Sequence, residues 1–176
     1  VNFREHLAQR GLTPEIHCWI DYKKELVTFP LYNGGLQLAG YQIYNWNERA
    51  RRNNGGRYWT YISSSFKNNV VYGLGNLKNT PELFIVEGIW DAIRIIQCGY
   101  NAIATMCNNP NKQLVWWIKH FFTNKTRIVI CDNDNAGKEL GKCGNYSYSI
   151  ESPYKDINQM PFNQAKIFLE SLLREI

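Results

Sequence analysis

The sequence lacks several features that would assign it to a class at once, and each absence excludes something. No apolar run approaches the roughly 20 residues a membrane-spanning helix needs. The five cysteines, Cys18, Cys98, Cys107, Cys131 and Cys143, are odd in number and scattered, with no C-x-x-C pair. That excludes a zinc ribbon and a disulfide scaffold and leaves small buried thiols in a reduced compartment. His6, His17 and His120 stand far apart from one another, and only His17 has a cysteine beside it, Cys18, whereas a metal centre needs several convergent ligands. No helicase-type P-loop, G-x-x-x-x-G-K-[ST], is present in the sequence. No charged-then-apolar signal segment opens the chain, which begins at Val1; an excised piece of a longer polypeptide and removal of an initial Met both fit. The expectation is a cytoplasmic protein with no membrane partner. Neither internal repeats nor low-complexity segments occur.

What is present reads as soluble and globular, with 44% apolar and 20% charged residues in 176. That length can bury a working core as one compact domain or as two small lobes. The net charge of +5 is placed on one side: residues 1–80 carry ten Lys/Arg against five Asp/Glu, and residues 81–176 carry ten against ten. A positive first half beside a neutral second half suggests a polyanionic partner, nucleic acid first. The plainer explanation is solubility.

Hydrophobic spacing divides the chain the same way. Residues 2–10 predict a helix stopped by Gly11, and Thr13-Pro14 predicts the start of a second short helix over 14–20. Strands follow at 25–30, 36–46 and 58–63, with turns at Asn33-Gly34-Gly35 and Asn54-Gly55-Gly56 and with Gly40 at a bulge or close approach. From Thr80 strand and helix alternate: strands at 82–86, 102–105, 127–131 and 146–150, helices at 89–100, 112–122, 136–144 and 163–176. Such alternation predicts parallel βαβ units. The expected fold is an α+β N-terminal basic lobe, residues 1–79 and mostly antiparallel β, joined to an α/β lobe, residues 80–176, with a parallel Rossmann-like sheet. Trp116 and Trp117 are adjacent on a helix, so one is expected in the core and the other near the surface.

Two stretches share one form. "FIVEGIWDAIRII" (84–96) and "RIVICDNDNAGKELGK" (127–142) each run from apolar residues through acids and a glycine into a helix-like tail. Ligands of open α/β sheets bind beyond the carboxyl ends of the strands, where Glu87 and Asp132 stand. Asp91 follows Glu87 by four residues in the first turn of the next helix, and Asp134 follows Asp132 by two, on the same side if the chain stays extended. If the two strands are neighbours, four carboxylates converge and need a cation among them. Mg²⁺ takes carboxylates together with substrate phosphates and serves in-line displacement at phosphorus. Gly88 and Gly137 would let a phosphate or metal approach the backbone. The competing explanation is that Asp91 and Asp134 only cap helices.

In the first lobe Arg49, Arg51, Arg52 and Arg57 lie within nine residues, flanked by Tyr41, Tyr44, Trp46, Tyr58, Trp59 and Tyr61. Arginines neutralise phosphates and aromatic faces stack bases, which would hold a single-stranded template. Strand alternation predicts about half of these rings inward and half outward.

"VEGIWDAI" followed by "ICDNDNAGK" resembles the E-G-x-x-D and D-x-D signatures of the Toprim domain. This domain is shared by bacterial-type primases, phage primase–helicases, topoisomerases and some nucleases. "HLAQRGLTPEIHCWI", "VTFPLYNGGLQLAGYQIY", "GRYWTYISSSFKNNVVYGL" and "SPYKDINQM" resemble segments of the primase polymerase core. The resemblance runs from about residue 2 to residue 160. It implies RNA synthesis on single-stranded DNA from ribonucleoside triphosphates with Mg²⁺ or Mn²⁺, and a replicative helicase as a candidate partner. It also implies Glu87, Asp91, Asp132, Asp134 and Asp156 as the metal-side acids, with Glu87, Asp132 and Asp134 catalytic. Arg57 and Lys67 would be its basic residues for template or nucleotide. Asn158 stands where many members have a second Asp. The glycine–threonine stretch after the strand at 102–105 and the N-terminal zinc-binding module of bacterial members are missing. The same acids would also serve a Toprim nuclease or topoisomerase-like strand cutter. The latter needs a nearby tyrosine, and none of the eleven is marked by a motif. A non-catalytic single-strand-binding module is the third reading, and the intact acids speak against it.

Overall fold

The structure, a computed structural model, describes residues 1–49, 51, 56–66, 69–132 and 139–176. The first helix, α1 (Phe3–Gln9), begins with a reciprocal cap: Asn2 Oδ1 accepts the Glu5 N–H and the Glu5 carboxylate accepts the Asn2 N–H, each at 3.0 Å. It stops at Arg10 because Gly11 enters the left-handed region (φ +86°). Phe3 and Leu7, one helical turn apart, carry its buried face.

The expected helix over 14–20 is not formed. Thr13-Pro14 starts only one turn, closed by the Ile16 N–H on Thr13 O (3.0 Å), and the chain then extends into β1 (Trp19–Asp21). The aromatic and β-branched pair Trp19-Ile20 suits a strand, and β2 (Leu26–Asn33) offers a ladder partner. Here the tertiary pairing outweighs the helix-start signal.

The first sheet is antiparallel, in the order β1–β2–β3–β4, with β3 (Leu38–Asn45) and β4 (Tyr58–Ile62); β5 (Val70–Val71) also pairs with β2. Register slips from Leu31↔Gly40 to Tyr32↔Leu38, so Ala39 bulges out. Gly40 beside it must lack a side chain, since a Cβ there would lie 2.1 Å from the Tyr61 carbonyl oxygen.

The second sheet is parallel, in the order β7–β6–β8–β9, from β6 (Glu82–Val86), β7 (Ala102–Ala104), β8 (Thr126–Cys131) and β9 (Tyr146–Ser149). Helices α2 (Ile89–Gln97) and α4 (Phe162–Glu175) cover one face, and α3 (Lys112–Phe121) covers the other. Phe84, Val86, Ile128 and Ile130 therefore enter one core cluster, while Leu83, Ile85, Val129 and Cys131 enter another. Burial on both faces explains why β6 and β8 read as unbroken apolar runs rather than as alternation. On α3, Trp117 is in the core and Trp116 is 61% exposed, as adjacency required.

The larger cluster continues into the inner face of the first sheet through Val27, Phe29, Leu31 and Tyr44. Trp90 of α2 meets Phe29 and Tyr44 edge-on at 5.2 and 5.1 Å. A short bridge joins the sheets, with the Tyr72 N–H on Ala104 O (3.0 Å) and the Ala104 N–H on Tyr72 O (3.1 Å). Among the described residues no helix is long and apolar enough to cross a membrane.

Alternation fails on β4, where Tyr58, Trp59 and Tyr61 are all exposed. β4 is the edge strand, and its inner side, Tyr58 and Thr60, borders an open cleft instead of packing on core.

Candidate functional site

β6 is the first strand of the parallel sheet, and the chain adds β7 on one side of it and β8 on the other. Strand order reverses between β6 and β8, the place where an open α/β sheet leaves a crevice. Glu87 follows the end of β6, and Asp132 the end of β8. Both line a cleft of about 380 Å³ together with Asp91 and Asp156. Asp91 does not cap α2. The N-cap is Gly88, with no side-chain cap bond, and Asp91 lies three residues on, 8% exposed. Its Oδ1 accepts the Asn158 N–H (3.1 Å). Burial first, and then the negative charges of Asp156 and Asp132, push the Asp91 carboxyl up to about 8. Asp156 is half-buried and caps the short 3-10 turn Ile157–Gln159, its Oδ1 accepting the Gln159 N–H (2.9 Å). The acids share a cleft without forming a closed cage: among the described residues no group of three or more Asp, Glu, His or Cys side chains is assembled to hold a metal ion. Asp134 and Gly137 lie outside the described residues.

Arg10, at the end of α1, reaches the cleft from the first lobe. Its guanidinium lies over the Trp90 ring (4.5 Å), and its Nε donates to Asn158 Oδ1 (2.9 Å). Lys155, Gln42, Tyr58 and Thr60 complete this wall. Burial raises the Tyr58 hydroxyl, and the charges of Arg10 and Arg57 partly offset the rise. Burial first, then Arg10 and Arg57, lowers His6 to about 4, so His6 is neutral at pH 7 and joins Tyr44 through a 2.8 Å hydrogen bond.

The structure does not bring the other arginines to the acids. Arg51 pairs with Glu48 (3.4 Å) and borders a separate hollow with Glu25, Trp46 and Arg49. Arg57 is exposed at the start of β4. Arg52 and Lys67 lie outside the described residues. Trp59 and Tyr61 point away from the cleft and cluster with Tyr41, with ring centroids 5.4 to 6.4 Å apart.

Residues 84–160 match the family model described as Toprim-like. The matched residues cover most of the second lobe. A search by sequence among curated proteins gives no match. Across both lobes the fold is that of a primase catalytic core. The Aquifex aeolicus primase, zinc-binding and RNA polymerase domains, is similar at TM-score 0.71 and 15% identity, over 98% of this chain and 55% of that one. The DnaG primase catalytic domain bound to ssDNA is similar at TM-score 0.65 and 17% identity, over 98% and 60%. The primase fragment of the bacteriophage T7 primase–helicase is similar at TM-score 0.62 and 14% identity, over 84% and 62%. The chain thus spans about half to two-thirds of the lengths of these structures.

Sequence reasoning missed Arg10 and Lys155 as cations of the cleft. An arginine in the last turn of a helix reads as a partner of the helix dipole, and nothing local reveals that Arg10 meets Asn158, 148 positions away. Gly88 has a sharper requirement than backbone freedom. A Cβ there would sit 2.5 Å from Asp91 Oδ2, and φ is an ordinary −91°. Gly88→Ala is therefore expected to fold, displace the Asp91 carboxylate, and weaken Mn²⁺ binding by calorimetry about 10- to 100-fold, as loss of a ligand-orienting contact does. Unchanged Mn²⁺ affinity would show that Asp91 need not hold this position.

Proposed function

We propose that the chain is the catalytic core of a DNA primase, making short RNA primers on single-stranded DNA by metal-dependent nucleotidyl transfer from ribonucleoside triphosphates. The observation that carries this reading is the cleft itself: Glu87, Asp91, Asp132 and Asp156 on one side and Arg10 on the other, at the switch point of the parallel sheet. The primase-core fold supports it.

The donor set fits Mg²⁺ or Mn²⁺. It consists of carboxylate oxygens alone, and the repulsion from Asp156 and Asp132 that adds to burial in raising Asp91 is what a divalent cation relieves. Such an ion, when bound, neutralises charge on the reacting phosphate and activates the attacking hydroxyl. Glu87 and Asp132, with Asp134, would hold it, and Asp91 and Asp156 would support them. Glu87 would also take the hydroxyl proton. The cations Arg10 and Lys155, together with Lys67, would orient the triphosphate. Trp59, Tyr61 and Tyr41 offer ring faces to unpaired bases, next to a first lobe that carries the whole positive excess. Arg49, Arg51, Arg52 and Arg57 would contact template phosphates. The DnaG domain was solved with ssDNA and the T7 protein is a primase–helicase; single-stranded DNA and a replicative helicase are the corresponding partners here.

The test is direct. With a poly-pyrimidine template, ribonucleoside triphosphates and Mn²⁺, the protein is expected to make short RNA resolved on a gel. A protein that binds Mn²⁺ and the template yet makes no RNA would overturn the reading.

A further inference from the structure

Asn158 is two residues past Asp156, yet its amide turns away from the acids. It is 9% exposed, and all of its polar groups have partners. Nδ2 donates to Trp90 O and to Arg10 O, both at 3.1 Å. Oδ1 accepts from Arg10 Nε at 2.9 Å, the backbone N–H donates to Asp91 Oδ1 at 3.1 Å, and the carbonyl accepts from Arg94 Nη2 at 3.4 Å. A side-chain oxygen that faces a guanidinium is not offered to a metal.

We infer that Asn158 is a positioning residue: its amide ties the end of α1 to the start of α2 and holds the Arg10 guanidinium face-on to Trp90, at the cleft wall, where Arg10 grips the triphosphate of the bound nucleotide. This rests on the primase reading above. The chemistry calls for an amide. Two carbonyls accept from the amide nitrogen and one guanidinium donates to the amide oxygen, and a single carboxamide supplies both kinds of group. A carboxylate would satisfy Arg10 but face the two carbonyls with negative charge. With Nε engaged by Asn158, the Nη pair is the part of the fork that meets phosphate oxygens. Holding the fork in place beforehand removes the ordering cost that a mobile arginine would meet on binding.

A second tie makes the test clean. Arg94 Nη2 also donates to Gln9 O (2.9 Å), and Arg94 Nη1 donates to Gln97 Oε1 (2.7 Å). The end of α1 therefore stays anchored when the Asn158 amide is removed.

The experiment is calorimetric titration with Mn²⁺ alone and with Mn²⁺–ATP, on the parent, Asn158→Ala, Arg10→Ala and the double variant, with melting curves for each. Each single variant is expected to weaken Mn²⁺–ATP binding about tenfold, the scale of one charged hydrogen bond. The double variant should be no weaker than Arg10→Ala alone, because the two act as one unit. Mn²⁺ alone should bind all four equally. Should Asn158→Ala melt early, Asn158→Ser replaces it, since its hydroxyl is too short to reach Arg10. A parent that binds Mn²⁺ but not Mn²⁺–ATP overturns the primase reading and this inference with it. A parent that binds, with Asn158→Ala unchanged or with additive losses in the double variant, overturns the inference alone. Weakened binding of Mn²⁺ by itself in Asn158→Ala would make Asn158 a ligand and overturn it too.

Discussion

Asp132→Ala is expected to reduce primer synthesis on the order of 10³-fold or more, the scale of losing a charged group aimed at the reacting centre, while leaving the fold intact. The two halves of that expectation come from one position. Asp132 stands just past the last residue of β8, outside both apolar clusters, so its truncation opens no core cavity. It is also one of the two negative charges that raise Asp91. Removing it relieves repulsion among the acids and should hold or raise the melting temperature of the metal-free protein. Lost activity together with unchanged or increased stability marks a charge kept for function at a cost in stability. Asp132→Asn separates charge from size and should match the alanine variant in activity. Synthesis within tenfold of the parent, measured as labelled RNA on a gel at saturating Mn²⁺, would remove Asp132 from the mechanism.

The residues that sequence reading located and those it missed differ in one physical respect. Glu87 and Asp132 were legible because each interrupts a buried apolar run at a point where burial stops, and the strand end itself is written in the hydrophobic pattern. β6 and β8 proved to be neighbours, which brought the two acids into one cleft. The parallel sheet was legible for the same reason. Arg10 and Asn158 were not, because the contacts that bring them to the cleft form only between α1, α2 and the turn at 157–159. The strand at Trp19–Asp21 was hidden behind a valid helix-start signal that cross-strand pairing overrode. The aromatic rings of β4 broke strict alternation because an edge strand beside a cleft has no core to face. Local pattern reports what a residue does to its own segment. It says little about polar groups whose partners are far away in the chain.

The other large effect is a pH dependence carried by Asp91. Its carboxyl is raised from 3.8 to about 8 in the folded protein, first by burial and then by Asp156 and Asp132. Between those values the unfolded chain has already lost the proton that the native protein retains, so stability falls as pH rises, by about 1.4 kcal/mol per unit for one such group. His6 acts in the opposite direction. Its folded value, lowered to about 4, makes the native state the poorer proton binder up to the ordinary histidine value of 6.5, so its contribution rises with pH below that point and is constant above it. The window from pH 6.5 to 8 therefore isolates Asp91. In that window, with chelator present, the melting temperature of the metal-free protein is expected to fall steadily, and Asp91→Asn should melt at a nearly constant temperature and above the parent at pH 8. Mg²⁺ should reverse the trend in the parent. A cation beside the carboxylate favours its ionised form, so Mg²⁺ affinity should rise with pH and binding near pH 7 should release a proton, seen as a buffer-dependent heat in calorimetry. An Asp91→Asn protein that keeps the parent's pH slope, or Mg²⁺ binding that releases no proton, would mean that Asp91 is neither the buried acid that destabilises the empty cleft nor one of the groups the metal engages.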